Sequence, residues 1–115
     1  MKKILAIVFL LSVSLTAQSS NTLPMSYESV TFTASSTGFT STTLTVAGKQ
    51  ATVCIGVLET AQIRFRYDGT APTSSEGTPL EIGQSIELKG FTVLTQFRGI
   101  RTGGTSGVIK FTCSR

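Results

Sequence analysis

From Val30 onward several runs place apolar residues at every second position, and no window of useful length repeats every three or four. A period of two puts successive side chains on opposite faces of an extended chain. Val30, Phe32 and Ala34 alternate with Thr31 and Thr33, and Ile86 and Leu88 alternate with Glu87 and Lys89. Ile109, Phe111 and Cys113 alternate in the same way with Val108, Lys110 and Thr112. Between these runs stand turn-forming stretches: SSTG (35–38), DGTAPTSSEGTP (68–79) and TGGTSG (102–107). About seven short strands at roughly 8 to 12 residue spacing predict an all-β fold. The expected architecture is a small antiparallel β-sandwich, jelly-roll or immunoglobulin-like, over residues 30–115.

Individual segments carry their own expectations. FTSTTLTV (39–46) reads as a Thr-rich second strand. QATVCIGVLE (50–59) is almost wholly apolar, the pattern of a strand buried on both faces, with Gly56 at a bulge or close approach. In IRFRY (63–67), Ile63, Phe65 and Tyr67 should point to the core and Arg64 and Arg66 to solvent. FTVLTQFRGIR (91–101) reads as extended with an irregularity, because Phe91, Val93, Phe97 and Ile100 cannot share one face.

The chain begins differently. Lys2 and Lys3 precede the apolar run Ile4 to Ala17, after which the sequence turns polar at QSSNT. A basic start, a short apolar stretch and a small residue at its end form the layout of a secretory signal peptide. The run is shorter than the roughly 20 apolar residues of a membrane-spanning helix, so no stable membrane span is expected. Residues 1–17 are therefore expected to be a cleaved signal, followed by a polar arm over residues 18–29. Without Lys2 and Lys3, the 10 basic residues become 8 against 6 acidic ones, and the formal charge falls from +4 to +2. So small an excess does not call for a nucleic-acid partner.

Composition restricts the chemistry further. The chain has no His, which removes a necessary part of the Ser-His-Asp arrangement, of a Cys-His pair and of the common zinc sites. The six carboxylates, Glu28, Glu59, Asp68, Glu76, Glu81 and Glu87, show no spacing that pairs them for glycoside chemistry. No enzyme activity, cofactor or metal is expected. TGGTSG lacks the Gly-Lys-Ser/Thr and the following helix of a phosphate-binding loop, and reads as a hairpin connection. Arg64, Arg66, Arg98 and Arg101 are candidates for a partner surface, or else for a solvated strand face. Cys54 and Cys113 form an even pair in a chain with an export layout. They fit either a disulfide or two buried thiols acting as small hydrophobes.

The stretch ETAQIRFRYDGTAPTSSEGTPL (59–80) resembles a pattern found in short proteins of phage and prophage genomes: E-T-A-x-I-R-(F/Y)-R-(Y/W)-D-G-T-x-P-T-(A/S)-S. In those proteins a Gly-bounded strand, F-R-x-I-R-T-G and a closing strand follow, and FRGIRTGGTSGVIKFTCSR (97–115) is similar. The resemblance covers about half the chain. It implies a non-enzymatic, virion-associated structural protein of accessory or decoration type, with capsid or tail proteins or its own copies as partners. The alternative is an exported bacterial β-sandwich binding module. The corresponding locations are the virion, or the periplasm or exterior if the leader works.

Overall fold

The computed structural model describes residues 23–115. The expected signal peptide and the first part of the expected arm lie outside the described residues. The remainder is an all-β fold of nine strands and two short helices. In chain order these are β1 (Pro24–Phe32), α1 (Ser41–Leu44), β2 (Thr45–Val46), β3 (Lys49–Gln50), β4 (Val53–Glu59) and β5 (Ile63–Arg66). They are followed by β6 (Thr78–Leu80), β7 (Ser85–Lys89), α2 (Phe91–Gln96), β8 (Arg98–Arg101) and β9 (Gly107–Ser114).

Two antiparallel sheets carry the fold, one in the order β1-β9-β4-β7 and the other in the order β6-β5-β8. Their inner faces share a single core. The four-stranded sheet contributes Phe32, Cys54, Leu58, Ile86, Leu88, Ile109, Phe111 and Cys113, and the three-stranded sheet contributes Ile63 and Leu80. Phe97 lies at the centre, with ring centroids 6.0 Å from Phe32, 5.5 Å from Phe39, 5.9 Å from Phe65 and 5.8 Å from Phe111. The contacts with Phe32 and Phe111 are edge-on, a geometry that adds to what burial alone gives. Gly99 in β8 sits directly against Phe32 of β1, where a Cβ would come within 2.5 Å of the ring. Only a residue without a side chain lets the two sheets approach there.

Five segments depart from the sequence reading. TGGTSG, expected as a hairpin connection, instead carries the chain from β8 in one sheet to β9 in the other, and these strands do not pair. Pro24–Ser29, expected as arm, belong to β1 and pair with Lys110–Ser114 of β9. A polar sequence suffices because this is an edge strand with one solvated face. FTSTTLTV is not a strand throughout: Ser41–Leu44 form one helical turn, and Thr45–Val46 pair with Lys49–Gln50 through a two-residue turn with Ala47 and Gly48 both at positive φ. FTVLTQ is helix α2, not extended chain, and this resolves the clash of faces. Leu94 and Phe97 are buried and Phe91 half-buried, three residues apart along one side. Finally, β4 is buried on one face only, since Ile55 and Val57 are exposed while Cys54, Gly56 and Leu58 face the core.

Candidate functional site

Strand β5 ends at Arg66, where the chain turns away, and the loop from Tyr67 to Gly77 folds back to start β6. Between strand and loop lies an open groove of about 350 Å³, lined by Phe65, Arg66, Tyr67, Asp68, Glu76, Gly77 and Thr78. It coincides with the centre of the ETAQIRFRYDGTAPTSSEG stretch.

The loop is held by its own polar groups. The Arg66 guanidinium donates two hydrogen bonds to the Asp68 carboxylate, the Nε bond at 3.0 Å, and the Thr70 N–H donates to Asp68 Oδ1 at 3.3 Å. A two-pronged guanidinium–carboxylate pair fixes direction as well as distance. The Arg66 hydrogen bond, helped by the Thr70 N–H, pulls the Asp68 carboxyl down from 3.8 to about 2, and the same pair raises Arg66. Further along, the Thr73 hydroxyl accepts from the N–H groups of Ser75 and Glu76, and the Thr73 N–H donates to the Glu76 carbonyl at 2.9 Å. Pro72 is buried beneath this turn. Gly77 closes it at φ 132, where a side chain would be strained and would crowd the Phe65 carbonyl at 3.1 Å and Pro72 at 3.2 Å.

Arg64 is drawn under the loop. One of its terminal nitrogens donates to the Gly77 carbonyl at 2.8 Å, and its Nε is buried with no partner among the described residues. Arg64 and Arg66 are thus half-buried rather than solvated, and Tyr67, expected in the core, is 48 % exposed. The alternation fails at Tyr67 because the strand has already ended. Its ring stacks nearly parallel to Phe65, with centroids 6.3 Å apart.

The four arginines do not form one patch. Arg98 on β8 stands directly opposite Arg66, so these two share a face. Arg64 is opposite Ile100 on that face. Arg101 is opposite Ile63, on the other face at the strand end, and donates to the Gly104 carbonyl at 3.3 Å. Glu76 and Thr78 line the groove without having stood out in the sequence, since nothing marks which loop residues fold back onto a strand.

Cys54 and Cys113 face each other across β4 and β9 and are joined in a disulfide, with Cα atoms 4.1 Å apart. Both are fully buried. Among the described residues, no three potential metal ligands cluster, and no helix is long and apolar enough to cross a membrane. The groove therefore offers an aromatic wall and fixed charges, with the one aspartate locked as an ion by its arginine. Comparison with protein-family models, curated proteins and solved structures gives no match to this chain.

Proposed function

We propose that this chain is a non-enzymatic structural protein of accessory or decoration type in a phage particle, acting by contact with capsid or tail proteins or with copies of itself. One observation carries the reading. The residues through which the chain resembles phage proteins are spent on fixing a loop: Asp68 and Thr73 hold its backbone, Pro72 is buried beneath it, and Arg66 holds Asp68. A pre-shaped surface loop loses little freedom on contact, which favours repeated assembly. The test is to purify particles from a producing culture and measure their components by intact mass. The chain should be present at a fixed ratio to the major shell protein, and its absence from washed particles would overturn the proposal.

A second reading, an exported binding module, is favoured by the Cys54–Cys113 bridge, because disulfides persist in oxidising compartments. It expects a periplasmic or secreted chain beginning near Gln18. No nucleic-acid partner belongs to either reading.

A further inference from the structure

Asp68 is the one aspartate of the chain, and a glycine follows it. The pair stands at the surface. The Asp68 side chain is 54 % exposed, and Gly69, at φ 87, has open space where a side chain would be, with only the Gln96 amide nitrogen near, at 3.9 Å. Asp-Gly favours a turn for reasons of backbone shape, and the same lack of a side chain leaves the Gly69 nitrogen unshielded beside the Asp68 carboxyl. An aspartate carboxyl, one methylene from the backbone, can close a five-membered ring on the nitrogen of the next residue.

That ring closure is a defined reaction. The Gly69 nitrogen attacks Cγ of the neutral Asp68 carboxyl, an N–C bond forms, and the N–H proton leaves with the carboxyl hydroxyl as water. Water then opens the resulting succinimide at one of its two carbonyls. Opening at the side-chain carbonyl returns aspartate, and opening at the main-chain carbonyl leaves isoaspartate, whose backbone runs through Cβ and Cγ. The mass is unchanged over the two steps, and no oxidant, reductant or enzyme is needed.

The fold opposes the first step in two ways. Attack requires Cγ to swing over the Gly69 nitrogen, and it requires a neutral carboxyl, because a carboxylate resists a nucleophile. Arg66 Nε donates to Asp68 Oδ1 at 3.0 Å, a terminal Arg66 nitrogen donates to Oδ2, and the Thr70 N–H donates to Oδ1 at 3.3 Å. These bonds hold the carboxylate from the residues on both sides of the Asp-Gly pair, and they favour its ionised form. We infer that Asp68-Gly69 is a site of spontaneous isoaspartate formation, and that the Arg66 guanidinium guards it by keeping the Asp68 side chain charged and out of ring closure. An isoaspartate adds a backbone carbon and redirects the carboxylate, so the bonds to Arg66 and Thr70 cannot both survive it, and the loop lining the groove loses its tie to β5. The inference concerns how long that loop keeps its shape, and it does not rest on the structural role proposed above.

The test is to age the folded chain for several weeks at physiological pH and temperature, digest it, and separate the peptide carrying residue 68 into its aspartate and isoaspartate forms, which share a mass and differ in retention. Wild type should isomerise slower than a synthetic peptide of residues 64–72 by about tenfold or more. Arg66→Gln should come within about threefold of the peptide, with an unchanged circular-dichroism spectrum because the pair lies at the surface. Arg66→Lys keeps the charge without the two-pronged bond and should also isomerise faster than wild type. Thr73→Ala removes the hydroxyl that accepts from the Ser75 and Glu76 N–H groups, loosening the loop away from the guarded carboxylate, and should stay as slow as wild type. A wild type as fast as the peptide, an Arg66→Gln as slow as wild type, or a Thr73→Ala as fast as Arg66→Gln overturns the inference. None of these outcomes bears on whether the chain is found in particles.

Discussion

Asp68 does at the scale of one residue what the loop does as a whole, since its carboxylate joins the end of β5, through Arg66, to the turn that follows, through the Thr70 N–H. Its carboxyl is held at about 2, below the ordinary 3.8, so the folded state favours the ion. The stabilisation is therefore complete above about pH 4 and fades as pH falls through about 2. Asp68→Asn should unfold at lower urea than wild type at pH 7, and the gap should narrow as pH falls towards about 2 and close below it. A gap that stays constant with pH would mean that the carboxylate's charge plays no part. The group lies on the surface, so the difference at pH 7 is small and shrinks further in salt. Asp-Gly was legible as a turn former, because both residue types favour turns for local reasons. The Arg66 pairing was not, because alternation continued past its true end at Arg66 assigns Tyr67 to the core and Arg66 to solvent.

At the scale of elements, α2 decides how the sheets are joined. Its six residues, FTVLTQ, contain two Thr, a Val and a Phe, a composition that favours strand, and an isolated helix of this length does not persist in water. What holds it is burial of Leu94 within it and Phe97 at its end, where the Phe97 N–H donates to the Val93 carbonyl at 2.9 Å. The irregularity was readable from the clash of faces over Phe91–Ile100, but its form was set by the core it packs on. Strands β5, β7 and β9 were readable because each buries one face against a common core, while β1 was half concealed by its polar start. Phe97→Ala should cost about 3–5 kcal/mol, the usual penalty for emptying a fully buried aromatic site. Phe65, half-exposed at the edge of the groove, should cost distinctly less when truncated. Chemical denaturation of both variants checks the order, and equal costs would show that Phe97 is not the centre of the core.

For the whole molecule, the decisive link is between distant parts of the chain. β9, the last strand, lies between β1, the first, and β4, so the four-stranded sheet cannot be completed until the C-terminal segment is in place. Pairings this far apart in sequence make for slow folding, because closing a long loop costs entropy before any contact offsets it. The Cys54–Cys113 bridge spans 59 residues and joins β4 to β9 at the point where they pair. In the chain-entropy account, a loop of that length stabilises the fold by about 4 kcal/mol. For a domain of this size that corresponds to a melting shift of about 20 °C. The sequence left the choice between bridge and thiols open because spacing along a chain says nothing of separation in space, whereas the register of β4 on β9 places the two residues face to face. Both sulfurs are buried, so a thiol reductant reaches them only when the sheet opens. Reduction under native conditions should therefore be slow and should accelerate with denaturant in step with unfolding. Once reduced, the chain should melt well below the oxidised form and refold more slowly, since β4 must then find β9 by free diffusion. Melting and refolding of the same preparation with and without reductant measures both effects. Equal midpoints would show that the bridge constrains nothing the unfolded chain does not already hold, and that the four-stranded sheet owes its stability to side-chain packing alone.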